Sequence, residues 1–326
     1  MAENETPGMR DPVGVVVFAP LDIDESLVRA LSRFLDDSEL ARARDFATSL
    51  LRRRFVAAHG IARLLLSVFC GERPERIVIS SAQSGRPSVI RPVLIPSLDF
   101  SISRSDGWMV IGISQDVRIG VDLEMRRQGE PRPMALDTVL DSTELREVKR
   151  VLGERRVTKE EVFLRCWALK EAILKAHGSG LSIDPRDVVI DPSSLAAMLE
   201  AVAATPQLGA TSPASSVIRT NDSKWSSRLI RFQGAGAAVS ISVKEIDLST
   251  VSIAQFTVED VLVLVNDMLD IFSEAAFKSS DEIFINSIDS GVMSGNVEFE
   301  RQRKNESRGC LAYLGRFNLP DPAAQN

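Results

Sequence analysis

Residues that could do chemistry together are concentrated in Phe163 to Gly180, FLRCWALKEAILKAHGSG. At a period of 3.6 residues, Trp167, Lys170, Glu171, Leu174 and Lys175 fall on one side of a helix. Lysines and a carboxylate beside large apolar groups ordinarily pair or hold a ligand. Two lysines around one carboxylate leave positive charge that suits an anion. The same spacing also describes an exposed helix on which Glu171 and Lys175 form an i,i+4 pair. A second stretch, Val117 to Glu124, alternates so that Ile119, Val121 and Leu123 line one face of a strand and Gly120, Asp122 and Glu124 the other. Two neighbouring carboxylates repel each other unless a cation sits between them. In a chain without a Cys or His cluster, oxygen ligands suit a hard divalent ion such as Mg2+, with Glu171 as a third ligand. A solvated strand face that discourages edge pairing is the other reading of the same pattern.

Taken together and in this order, IGVDLE and FLRCWALKEAILKAHGSGL resemble the two signature segments of the surfactin-type 4'-phosphopantetheinyl transferases, a Gly-(Ile/Val)-Asp strand and a Trp-x-x-Lys-Glu-(x)3-Lys helix. LRRRFVAAHGIARLLLS, SGRPSV and LDFSISRSDGWMVIGIS resemble further segments of that family in the same order, so the likeness runs from about Leu35 to Lys244. The resemblance implies transfer of the phosphopantetheine arm of coenzyme A to a serine of an apo carrier protein, with release of adenosine 3',5'-bisphosphate. It implies Mg2+ on Asp122, Glu124 and Glu171, Lys170 and Lys175 on the phosphate under attack, and Glu171 as candidate base for the serine. It also implies coenzyme-binding roles for Arg54, Arg86, Ser103 and Arg104, while Trp167 packs. One departure is visible: the family's Asn-x-Ser-His-Ser reads Ser101-Ile-Ser103-Arg104-Ser105 here. An arginine retains an anion site and removes titration near neutral pH. The alternative from another class is a catalytically silent coenzyme A or nucleotide-binding regulator that kept the fold.

The elements that must position these residues follow from the rest of the chain. With 326 residues, 44% hydrophobic and 26% charged, the chain can bury a sizeable core. A net charge of -6 without a long basic run argues against a nucleic-acid binder. Cys70, Cys166 and Cys310 are odd in number and widely spaced, which fits reduced thiols in the cytoplasm, and no apolar run reaches the ~18 residues of a membrane span. His59 and His177, far apart and without acidic partners at catalytic spacing, read as ordinary helix residues.

Residues 1–12 read as a loose tail, and VGVVVFAP as a first strand ended by Pro20. Two helical patterns and a long amphipathic helix from Leu51 to Phe69 follow. From Arg76 the period changes to two, and short strands broken by Gly and Ser turns read as an antiparallel meander. Ser142 and Thr158 read as helix N-caps, Gly178 or Gly180 as a C-terminus, and residues 196–223 as holding a mobile loop. This order predicts an α+β fold of two halves, 13–116 and 117–246. A pseudo-twofold duplication with the active site between the halves is what the resemblance adds, along with a monomer serving secondary-metabolite carriers. Carrier domains are usually acidic around their serine, so Arg126 and Arg127 are candidates to receive one. Beyond the match, residues 247–326 begin with an amphipathic helix capped by Thr257 and continue to FINSIDSGVM, which weakly resembles an acyl-carrier domain with Ser290 as the modified serine. Gly291 and Gly295 depart from that pattern, and a helical appendage on the transferase or a partly disordered tail is the other reading.

Overall fold

The computed structural model describes residues 14–70, 72–81, 86–92, 98–126, 135–153, 157–204, 209–212, 214–219, 223–233, 236–242 and 251–271. In order, the elements are β1 (Gly14–Pro20), α1 (Glu25–Ser32), α2 (Asp37–Arg44), α3 (Ser49–Cys70), β2 (Val78–Ser81), β3 (Pro87–Arg91), β4 (Leu98–Ser105), β5 (Trp108–Gln115), β6 (Ile119–Glu124), α4 (Ser142–Gly153), α5 (Lys159–His177), β7 (Val188–Ile190), α6 (Pro192–Ala204), β8 (Gly209–Ala210), β9 (Ala214–Ile218), β10 (Ser223–Arg231), β11 (Gly236–Ser242), β12 (Val251–Gln255) and α7 (Val258–Ile271).

The strands form two main sheets and a small hairpin. One sheet has the order β12-β1-β5-β4, the other β6-β11-β10-β9-β7 with β8 beside β10, and β2 pairs with β3. The strands after Arg76 are therefore not one meander: β5 lies against β1, and β6 opens the second sheet. In both halves the first strand pairs antiparallel with the last strand of a hairpin, β1 with β5 and β6 with β11, and a long helix lies between them in sequence. The duplicated build that the family resemblance implied is thus present in the topology.

Four layers result. The continuous apolar run of β1 belongs to a strand buried on both faces. Val15, Val17 and Ala19 join the core under α1, α3 and α7, while Val16 and Phe18 join a core between the sheets. In that central core Ile119, Val121 and Leu123 of β6 face the first sheet, Phe18 stacks on Phe232 at 4.3 Å, and Trp108 meets the edge of Phe232 at 5.0 Å. Leu164, Leu169, Ile173 and Leu174 of α5 are buried, the last three in the third core, outside the second sheet.

The end caps follow the sequence closely. Thr158 and Glu161 form a capping box at the start of α5, and Gly178, at φ 90°, ends it in the left-handed region that favours glycine. At α4 the capping side chain is Asp141 rather than Ser142, accepting from the amides of Thr143 and Glu144. Besides any loop, residues 196–223 contain most of α6, with Leu199 fully buried, as well as β8 and β9.

Past residue 246, β12 lies parallel to β1, Val16 opposite Ile253, and α7 packs Val261, Leu264 and Val265 into the core of the first half. The helix was legible from its period; β12 was not. The helix that a carrier domain would use as its first is thus part of the first half's core. Ser290, Cys310 and Arg127 lie outside the described residues.

Candidate active site

The site begins with a glycine. On β6, a Cβ at Gly120 would lie 2.0 Å from the carbonyl oxygen of Ala172 and 2.5 Å from the amide nitrogen of Ala176. Helix α5 therefore rests on the strand at backbone contact, which only glycine below and small residues above allow. Asp122 and Glu124, two and four residues along the same face, are consequently held beside Glu171 and Lys175.

Asp122 is 3% exposed. Its Oδ1 accepts hydrogen bonds from Ser103 Oγ, at 2.8 Å, and from Lys175 Nζ. Glu171 is half-buried. Burial, and then the charge of Asp122, push its carboxyl above the usual range; Lys175 opposes this and Glu124 adds to it. Asp122 Oδ2 and Glu171 Oε1 are both buried without a hydrogen-bond partner. Buried carboxylate oxygens are rarely left so, and two of them on mutually repelling side chains fit a hard divalent cation. Among the described residues no group of His, Cys, Asp and Glu is already gathered to hold a metal, and Lys175 supplies the positive charge at Asp122.

Next to the carboxylates opens a cleft of about 750 Å³ whose lining includes Arg54, Phe55, Arg104, Asp106, Trp108 and Arg126. Strand β4 connects it to the carboxylates, with Ser103 on Asp122 and Arg104 and Ser105 in the cleft wall. Arg104 lies 5.9 Å from the centre of the Phe55 ring and Arg42 5.8 Å from the same ring. Among the described residues neither guanidinium has a carboxylate partner, and two such cations beside one ring make an anion-attracting wall. Arg54 is committed to Asp22 through two hydrogen bonds of 2.6 Å, with Asp106 at 3.7 Å.

Comparison with known proteins bears on what this arrangement serves. A profile for the 4'-phosphopantetheinyl transferase superfamily matches residues 118–228, which include β6 and α5. The chain is 30% identical over 185 residues to the 4'-phosphopantetheinyl transferase HetI of Nostoc sp., covering 56% of this chain and 77% of that protein. The chain belongs to the 4'-phosphopantetheinyl transferase superfamily. It is also 23% identical over 170 residues to the transferase Sfp of Bacillus subtilis, covering 52% of this chain and 71% of that protein. To the L-aminoadipate-semialdehyde dehydrogenase-phosphopantetheinyl transferase of Schizosaccharomyces pombe it is 28% identical over 176 residues, 48% of this chain and 64% of that one.

In this transferase several residues expected at the site are brought together: Asp122, Glu124, Glu171, Lys175 and Ser103 around the carboxylates, with Arg104 and Arg54 in the cleft. Two are not. Lys170 is fully buried on the core side of α5, where Nζ donates to Oε1 and Oε2 of Glu144 at 2.8 and 2.7 Å and to the carbonyl of Val188. One face of α5 was expected to carry Trp167, Lys170, Glu171, Leu174 and Lys175. The helix divides them, with Trp167, Glu171 and Lys175 partly open and Lys170 and Leu174 at 0% exposure. Arg86 is the second correction. Its guanidinium donates to Asp99, to the carbonyl of Ile119 at 2.8 Å and to the carbonyl of Lys175, so it joins the two halves beneath α5 instead of reaching out to a phosphate.

Trp167 packs parallel to Phe163, and Arg126 is paired with Glu160 at 2.9 Å. Sequence reading missed Arg42, whose place beside Arg104 depends on the fold of α2 over α3. It also missed a polar seam: Asp99, Ser101, Ser103 and Ser105, alternate residues of β4, bond to the amides of Ile119 and Val121, the carboxylate of Asp122 and the amide of Met125. Four polar side chains at alternate positions, interleaved with Leu98, Phe100 and Ile102, were the available signal.

Proposed function

We propose that this protein transfers 4'-phosphopantetheine from coenzyme A to a serine hydroxyl of an apo carrier protein, releasing adenosine 3',5'-bisphosphate, and that it requires Mg2+. The observation that carries the reading is the pair of buried, unpartnered oxygens, Asp122 Oδ2 and Glu171 Oε1, beside Lys175 and next to an arginine-lined cleft. Asp122, Glu124 and Glu171 would hold the metal, which when bound neutralises pyrophosphate charge as the phosphoanhydride breaks.

The chain's own groups supply the remainder. Arg104 and Arg42 attract the phosphate of the nucleotide end, with the Phe55 and Trp108 rings alongside. Lys175, held through Asp122 at the edge of the site, turns to a non-bridging oxygen of the phosphate under attack. Glu171 has a carboxylate of raised proton affinity and accepts the serine proton as the new O–P bond forms and the bond to adenosine 3',5'-bisphosphate breaks. Ser103 fixes the rotamer of Asp122. The reading extends to a monomer acting in the cytoplasm on carriers of secondary metabolism, with Arg126 on the exposed rim toward an acidic carrier.

The test is mass spectrometry of a panel of apo carrier proteins incubated with coenzyme A and Mg2+. One phosphopantetheine per carrier is expected, with loss of modification in EDTA and in Asp122→Ala and Glu171→Ala. A wild-type protein that binds coenzyme A and modifies no carrier across peptidyl, aryl and polyketide types would instead identify a silent coenzyme-binding regulator.

A further inference from the structure

The Glu144 and Lys170 side chains are fully buried, and the transfer chemistry uses neither. Glu144 is the third residue of the capping turn of α4. Its amide donates to Asp141 Oδ1 at 2.8 Å, and its Oε2 accepts from the Asp141 amide at 2.9 Å. The same carboxylate accepts from the Ile190 amide at 2.8 Å and from Lys170 Nζ through both oxygens. Lys170 Nζ also donates to the Val188 carbonyl. The network thus joins the start of α4, the middle of α5 and strand β7, and all three ammonium donors are used.

Buried ion pairs are weak devices for stability, because well-packed apolar groups in their place stabilise as well or better. They do impose direction. An ammonium with three fixed acceptors defines both the rotation of α5 about its axis and its position along it, whereas an apolar ridge tolerates a slide. The next residue is Glu171, and α5 meets the sheet through close backbone contacts at Gly120 of β6 and Gly236 of β11, which fix its depth on the strands.

We propose that Glu144 and Lys170 are positioning residues: their buried pair sets the rotation and register of α5, so that Glu171 and Lys175 face Asp122. This deepens the proposed function and rests on it, for the kinetic readout on the transfer and for the Mg2+ readout on the metal site alone. The same motif recurs in the first half. Asp36-x-Ser-Glu39-Leu40 caps α2 as Asp141-x-Thr-Glu144-Leu145 caps α4, and Glu39 bonds Arg63 of α3 at 2.7 Å as Glu144 bonds Lys170. Arg63, like Lys170, also donates to backbone carbonyls entering the next strand, those of Pro74 and Ile77. A cation on the long helix, gripped by the capped helix before it, is therefore how each half fixes its long helix. In the first half the residue after the cation is buried Leu64; in the second it is Glu171.

The experiment uses the full chain with the apolar pair Glu144→Leu/Lys170→Met and, separately, Glu144→Asp. It reads carrier-modification kinetics and the rise in Tm on adding millimolar Mg2+ alone. The expected result for the double variant is a retained cooperative melt, a kcat lower by about 10- to 100-fold with KM for coenzyme A within about threefold, and a reduced Mg2+-induced rise. Glu144→Asp, which draws Lys170 by one methylene, should show a smaller loss of the same kind. A folded double variant with unchanged kcat and an unchanged Mg2+ rise overturns the proposal; should the double variant not fold, Glu144→Asp decides by the same two readouts. If wild-type protein modifies no carrier, the transfer fails, and the Mg2+ rise, which needs only the metal site, still decides whether the pair positions Glu171.

Discussion

The two long helices, α3 and α5, solve one folding problem with one motif and differ in what the motif leaves exposed. In the first half Arg63 is 1% exposed, but Asp36, one of its partners, is 40% exposed, and Glu39 shares its charge with His59 at 2.8 Å. In the second half Lys170 and Glu144 are both at 0%. The first hub therefore reaches water and has charge to spare, and the second is sealed with one ion pair. The lesson is that a duplicated element can keep its anchor while its adjacent residues diverge. One copy presents Phe55 and Arg54 to the arginine-lined cleft, and the other presents Glu171 and Lys175 to Asp122.

The largest effects should come from the residues on which the copies differ most. Asp122→Ala and Glu171→Ala should each lower carrier modification by ~10³-fold or more, with melts close to wild type; a loss below tenfold in both would remove these carboxylates from the chemistry. The anchors sharpen the comparison through stability. Lys170→Met leaves Glu144 sealed and unpaired and should cost about 3–5 kcal/mol, whereas Arg63→Met leaves partners that reach solvent or His59 and should cost less, as urea titration of the two variants will compare. The reverse ranking would show that the first hub is the tighter one.

A third effect belongs to the cleft. Arg104→Ala should raise KM for coenzyme A about tenfold with kcat nearly unchanged, and Arg104→His should make that KM pH-dependent, lowest below the imidazole pKa of about 6.5. A KM for Arg104→His that is flat from about pH 5.5 to about pH 7.5, one unit on either side of that value, would place Arg104 outside the phosphate contact.

The smallest effect concerns the carboxylate pair itself. Burial and Asp122 raise the proton affinity of Glu171, so its folded pKa lies above its unfolded one. For such an acid the native state binds more protons than the unfolded chain between the two values, and stability falls as pH rises through the folded pKa. Glu171→Gln should therefore stabilise the protein in EDTA by on the order of 1 kcal/mol at pH 8 and by less near pH 4.5, with the gain shrinking on addition of Mg2+. Equal gains at both pH values would mean that repulsion is not the cause.

Much of this was readable from residue spacing. The face of β6 follows from strict alternation, and its glycine together with the two alanines of α5 accounts for the close fit that makes the site. The division of α5 was harder to read: Lys170 and Glu171 are adjacent in sequence, and only the identity of Glu144, 26 residues upstream, decides that the lysine turns inward. Arg86 stands in a turn where an outward reach and an inward clamp look the same; its partners Asp99 and Ile119 come from strands that meet only in the folded molecule. The repeated Asp-x-(Ser/Thr)-Glu-Leu was visible in the sequence, but its meaning depends on a cation that lies 24 residues after Glu39 in one half and 26 after Glu144 in the other.

The parallel pairing of β1 with β12 has a consequence for how the molecule is made. Gly14 meets Val251, so β1, which precedes every other described strand, waits for nearly the whole described chain before its outer edge is covered. The second half, whose strands and helices lie within 119–242, has no such wait and can close on itself while β12 and α7 are still being synthesised. During that interval β1 offers an unpaired, apolar strand edge, and the chain is at its most vulnerable to association with other nascent copies or to capture by a chaperone.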